Sequence, residues 1–298
     1  MKKTVTLQNR LRQSQMNLFY IPALILFSFF VIYPFVRGIY ISTTNWNGYS
    51  QKFKSVGISN YIRMLTDKNV RTALINTLVY GFGSTLLQNV LGLALALFLN
   101  REFRGRSALR AVIYMPVMIA PLIMGYIMYF FFSYNRGALN DIMMILGKER
   151  LDWMADGTRA VILMTVVNAL QFVGISMVIY LAGLQNIPAM YYEAAAIDGI
   201  STFDQFRYIT LPLLHPAVTS AVTVNLIGGL KLYDIISALT SGGPGYASHS
   251  LSTLIHRTYF GAENAGYAAA IGLLSFLLIM VISTIVTRLL AAKEVDLQ

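Results

Sequence analysis

The sequence predicts an all-α, polytopic membrane protein, and three observations predict it. Hydrophobic residues make up 56% of the 298 residues, charged residues only 12%, and the mean hydropathy is +0.59. A soluble domain carries about 25% charged residues. Six apolar runs, 18–36, 73–99, 108–132, 160–184, 217–239 and 265–290, match the ~20 residues that cross a bilayer as a helix. The polar interruption between the fourth and fifth runs reads as a helix, a forced turn and a second helix. One membrane domain covering 1–298 is expected.

The first run, 18–36, is expected to stay in the chain as a span. Its apolar stretch is long, and Ile32-Tyr33-Pro34-Phe35 offers no small-residue cleavage site. The loop after it, from Ser42 to Asn69, holds Trp46 and Val56-Gly57-Ile58-Ser59-Asn60-Tyr61, which alone would read as an interfacial aromatic belt. In the second run, Gly81-Phe82-Gly83-Ser84 allows a neighbouring helix to approach closely, as does Gly228-Gly229 in the fifth.

Orientation rests on the loop cations. The basic residues divide almost evenly between the two sides, but Arg101, Arg104, Arg106 and Arg110 crowd the very short second loop. Lys52, Lys54, Arg63 and Lys68 are diluted in a longer first loop. That density places the amino terminus, and with six spans the carboxyl terminus, on the cytoplasmic side.

In the fourth run Asn168 and Gln171 lie one turn apart, and Asn225 lies in the fifth. Amides at such positions suit a hydroxyl-rich ligand, whose groups need partners that lipid lacks. They suit hydrogen bonds between helices equally well. The fifth run also carries Lys231, Tyr233 and Asp234. Charge inside a membrane helix implies a role facing the bundle or a place near the interface. Lys231 and Asp234, three apart, are read first as an ion pair near the outer mouth and second as substrate contacts.

The interruption at 186–216 is expected to begin with Asn186 capping a helix whose first turn holds Pro188. Glu193-Ala194-Ala195-Ala196 continues that helix, and Gly199 stops it in the left-handed conformation. Ser201 caps a second helix, with Asp204 three residues on, and Leu211-Pro212 ends it. Pro216 starts the next apolar helix.

Several chemistries are excluded. The chain has no cysteine, so it has no disulfide, thiolate nucleophile or cysteine metal site. His215, His249 and His256 are its only histidines; they form no ligand set and are expected at a surface or interface. No Gly-x-x-x-x-Gly-Lys-Ser/Thr loop is present, because Gly242-Gly243-Pro244-Gly245 lacks the lysine. If ATP drives this protein, another chain hydrolyses it. The net charge of +10 is scattered over short loops, which suits anionic lipid headgroups and not nucleic acid.

At Glu193, Ala194, Ala195, Gly199, Ile209, Leu211 and Pro212 the chain resembles the permease subunits of ATP-binding-cassette (ABC) importers. Their signature is Glu-Ala-Ala, three residues, Gly, nine residues, Ile-x-Leu-Pro. The Val56 to Tyr61 segment, the aromatic-Asp-Ile at Tyr233-Asp234-Ile235, the Leu239 to Pro244 segment and Gly266-Tyr267-Ala268-Ala269-Ala270 resemble the carbohydrate, maltose- and multiple-sugar-like, subclass. The resemblance implies a non-enzymatic, multi-pass subunit of the bacterial cytoplasmic membrane. It further implies a second, non-identical permease, two ATPase subunits that hold ATP and Mg and dock on 186–216, and an extracytoplasmic sugar-binding protein. Substrate contacts in the family come from the fourth and fifth spans, and Asn168 matches a position used there. An ion-gradient-driven transporter is the alternative, but no inverted repeat or midplane carboxylate points to it.

Overall fold

A computed structural model describes residues 20–292. Helices dominate, and among the described residues only a single bridge, Thr44 to Ser55, has β character. The spans are α1 (Tyr20–Ser42), α3 (Lys68–Leu99), the pair α4 (Arg106–Met118) and α5 (Pro121–Phe132), α7 (Gly157–Gln185), the pair α10 (His215–Leu230) and α11 (Asp234–Leu239), and α13 (Ala265–Ala291). Between them lie α2 (Ser59–Thr66), α6 (Ala138–Ile145), α8 (Ala189–Ile197), α9 (Thr202–Gln205) and α12 (Leu251–His256).

Two of the expected straight spans are broken. The run at 108–132 divides where Ile119 and Ala120 take extended ψ values of 130° and 133°. The two halves meet at 97°. Pro121 is the cause, because its ring disfavours helical geometry in the residue before it. The run at 217–239 divides at Lys231-Leu232-Tyr233, with Tyr233 at φ −131°, ψ −57°. Lys231 and Asp234 therefore do not share a helix, and among the described residues no ion pair joins them. Among the described residues the one ion pair is Arg106 with Glu102, 3.7 Å apart.

α7 is the central helix and buries residues on every side, from Ala160 to Leu184. Its longest contact is with the second half of α3, where Gly92 lies against Ser176 and Met177. A side chain at Gly92 would overlap Ser176, so the missing Cβ sets the distance between the two helices. α3 and α10 cross closely at Gly81 and Gly229: a Cβ on Gly229 would stand 2.9 Å from both Gly81 Cα and Tyr80 O. Gly228 does not take part, since nothing lies within 4 Å of a Cβ there. Half of the expected Gly-Gly contact is thus corrected, because only one of two successive helical residues can face a given neighbour.

Three apolar clusters follow. Tyr80, Met164 and Ile235 anchor one at the α11 end, Tyr180, Leu184 and Leu214 anchor one at the α8 end, and Val70, Leu251 and Tyr267 join α3, α12 and α13. α1 is peripheral. Its first eight residues bury nothing, and Phe35 meets Phe276 of α13 at 4.9 Å. Its exposed Leu, Ile and Phe side chains suit lipid.

The loop after α1 is more than an aromatic belt. Asn60 Nδ2 donates to Ser42 O at 2.8 Å and to Thr44 O at 2.9 Å, and Tyr61 OH lies 2.5 Å from Ser42 Oγ. The Asn-Tyr pair ties α2 to the end of α1, satisfying carbonyls that the helix leaves free.

Candidate functional site

A cavity of about 300 Å³ opens beside the break between α10 and α11. Asn168 and Phe172 of α7, Asn225 and Gly228 of α10, and Lys231, Tyr233 and Asp234 of the break line it, with Gln88 from α3 and Pro121 from α5. Residues of α7 and of the α10 to α11 run, up to 66 positions apart in sequence, meet because α7 and α10 pack side by side and because the break turns Tyr233 and Asp234 back toward them. Asn225 Nδ2 donates to Ser176 Oγ at 2.5 Å, so this buried amide also joins α10 to α7.

Gln171 does not line the cavity. Its Nε2 donates to Ile119 O at 3.0 Å, holding the bend between α4 and α5. That is the helix-to-helix role left open from the sequence. Gln88 takes a place in the wall that the motif reading passed over. It is 1% exposed, its Nε2 donates to Asn168 O at 3.1 Å, and its Oε1 has no partner. A polar residue inside the apolar run 73–99 was the available signal. With apolar walls, several amides and one group of each charge, Lys231 and Asp234, the cavity can hold a polar neutral ligand by hydrogen bonds.

The 186–216 segment forms the expected helical corner with three differences. Asn186 ends α7, with helical φ −84°, and does not cap α8. Pro188 sits just before α8 at ψ 135°, outside the first turn, where its fixed φ aims the chain into the helix. Pro212 does not end the second helix either. α9 widens at Phe206–Thr210 and continues into Leu211–Leu213, with Leu211 N–H bonded to Phe206 O. The widened turn carries the proline without breaking the chain's helical path.

The corner itself is as expected. Gly199 has φ +67° with open space around it, and Ser201 caps α9 by accepting from Asp204 N at 3.2 Å. Tyr192 OH meets Thr210 Oγ1 at 3.0 Å and braces α8 against the widened turn that holds Ile209. Ala195 is buried, while Glu193, Ala194 and Leu211 are exposed. Ile197 and Phe203, 86% and 68% exposed, stand on either side of Gly199. Such an apolar, acid-bearing knob suits a protein partner.

On the far side, the Thr240 to Ser250 loop folds under α3. Asn76 Nδ2 donates to Ala247 O at 2.7 Å, and Tyr80 OH donates to Ser248 O at 2.8 Å. His249 is not at a surface. It is 2% exposed, and its ring fills the space above Gly242 that a side chain there would take. Burial, and then the charge of Arg257, push its pKa down to about 4.

Residues 88–294 match the family described as binding-protein-dependent transport system inner membrane component. The chain is 32% identical over 281 residues to the trehalose/maltose transport system permease protein MalF of Thermococcus litoralis, covering 94% of this chain and 95% of that one. It is 34% identical over 279 residues to the multiple sugar-binding transport system permease protein MsmF of Streptococcus mutans, covering 93% and 95%. In structure it is similar to a chain of a bacterial ABC transporter involved in import of the acidic polysaccharide alginate, with a TM-score of 0.81, 21% identity and coverage of 96% and 98%. The same TM-score and identity hold for that transporter in complex with an alginate pentasaccharide-bound periplasmic protein, with coverage of 95% and 96%. The chain belongs to the binding-protein-dependent transport system inner membrane component family.

Proposed function

We propose that residues 1–298 form one permease domain that supplies half of the membrane path of a sugar or oligosaccharide importer. The observation that carries this reading is the cavity between α7 and α10, where Asn168, Asn225, Lys231, Tyr233 and Asp234 converge in a chain whose relatives bear sugar-transport names. Gln171 supports the wall from outside it. A second, non-identical permease completes the path, and an extracytoplasmic binding protein delivers the sugar.

Two ATPase subunits, which hold ATP and Mg, dock on Glu193, Ala194, Ala195, Gly199, Ile209, Leu211 and Pro212. The chain sits in a bacterial cytoplasmic membrane with both termini cytoplasmic, which sets the docking corner inside and the Thr240 to Ser250 loop outside. When the ATPases close, they draw the two corners together. α8 is braced to α9 and is joined at once to α7 and α10, so the movement is passed as a rigid body to the helices that line the cavity. Opposite cavity walls then part on one face and meet on the other.

The test is uptake in vesicles bearing this chain alone or with its partner permease, ATPase and binding protein. ATP-dependent sugar uptake is expected only with the full set. Accumulation by the chain alone under a proton or sodium gradient would overturn the reading.

A further inference from the structure

A second cavity, of about 340 Å³, lies between α11 and α12, at the opposite end of the α10 to α11 run from the docking corner. Tyr233 belongs to its wall and to the wall of the central cavity, so the two are neighbours across one side chain. From Tyr233 a row of rings leads outward: His256 lies 5.6 Å from Tyr233, and Phe260 lies 4.9 Å from His256. Phe260 is 60% exposed although it is a large apolar ring.

Around the row the lining is polar. Ser237 and Ser241 face it from α11 and its end, and Arg257 is the one formally charged residue among those that line it. The guanidinium of Arg257 is held over the Tyr246 ring at 4.8 Å. His249 forms a buried part of the wall; its Nδ1 is engaged by Thr253 Oγ1 at 2.9 Å, while its Nε2 has no partner. Aromatic faces flanked by hydroxyl groups and a guanidinium match the surface of a pyranose or furanose ring, whose C–H face is apolar and whose edge is a rim of hydroxyl groups.

We propose that this cavity is an entrance subsite for a further sugar ring, and that the permease takes an extended glycan. One ring sits between Asn168 and Asn225, and a following ring lies on the His256 and Phe260 faces across Tyr233. This rests on the sugar-importer reading and adds to it the length of the ligand. A single-ring substrate would use the central cavity and leave the aromatic row empty.

The experiment is uptake by the complete importer of labelled mono- to tetrasaccharides from the α-glucan, arabinan and uronate series. Wild type, Phe260→Ala, His256→Ala and Phe260→Trp are compared. Both alanine variants change exposed rings, so folding and assembly are expected to be kept. Loss of one stacking face is expected to lower kcat/KM for dimers, trimers and tetramers about fivefold, to leave monomers within about twofold, and to be reversed in Phe260→Trp. Equal effects at every length, no effect at any length, or uptake confined to monosaccharides would each overturn the entrance subsite while leaving the importer reading intact. Uptake of no sugar by wild type would instead fail the importer reading itself.

Discussion

Replacing Gly229 with alanine should destabilise the bundle, and replacing Gly228 should not. The added Cβ at 229 would stand 2.7 Å from Ser84 Oγ and 2.9 Å from Gly81 Cα and Tyr80 O. Two of these atoms are backbone of α3, so relief requires α3 and α10 to separate. Overpacking of this kind costs roughly 1–3 kcal/mol. Alanine also gains about 1 kcal/mol over glycine in a helix interior. That gain is common to both sites, while at Gly228 the new methyl meets nothing within 4 Å. The difference between the two variants therefore isolates the helix contact, and should be about 1–3 kcal/mol in favour of Gly228→Ala. As a melting midpoint of the detergent-purified complex, this corresponds to a separation of roughly 2–10 °C. Equal midpoints would refute the argument that α3 and α10 touch through backbone at this crossing.

Four further outcomes are expected. Asn168→Ala should lower sugar uptake by an amount equivalent to about 1 kcal/mol while the ATPase still copurifies, and unchanged kinetics for every transported sugar would remove it from the path. Glu193→Ala and Gly199→Asp should leave membrane insertion and partner levels normal but reduce copurifying ATPase or binding-protein-stimulated hydrolysis. Gly199→Asp adds about 1–2 kcal/mol of strain at its positive φ without meeting any neighbour, and wild-type values in both assays for both variants would refute docking there. Asn60→Ala leaves two carbonyls without donors and should cost about 1–3 kcal/mol of stability, read as a lower melting midpoint; an unchanged midpoint would mean that the strap from α2 to α1 is slack.

His249 sets a pH limit. Its folded pKa of about 4 lies below the ordinary imidazole value of about 6.5, so the unfolded chain binds the proton first. The stability that neutral His249 contributes is complete above about pH 6.5 and is lost as pH falls toward 4. His249→Gln should flatten the melting midpoint across that window, and an unchanged slope would place the titration elsewhere.

Much of this fold was legible as pattern. Apolar length marked every span, since each must satisfy its own backbone in lipid, and Gly199 with Ser201 marked the corner through local backbone chemistry alone. Pro212 was misread because a widened turn at Phe206–Thr210 absorbs what an isolated proline would break. The pairing of Lys231 with Asp234 was misread because it assumed a helix that stops at Leu230.

What the chain alone determined, then, is whatever depends on neighbours within a few residues: hydrophobic runs, caps, the αL glycine, and the signature spacing from Glu193 to Pro212. Only the tertiary structure decided which amides face one another. Asn168 and Gln171 are one turn apart and chemically alike, yet α7 turns Asn168 toward the cavity and Gln171 toward Ile119. Gln88 reaches the same wall from 80 residues away. A helix buried on all sides carries no amphipathic stripe to reveal its faces, so the roles of its polar residues are set by the helices that pack against it.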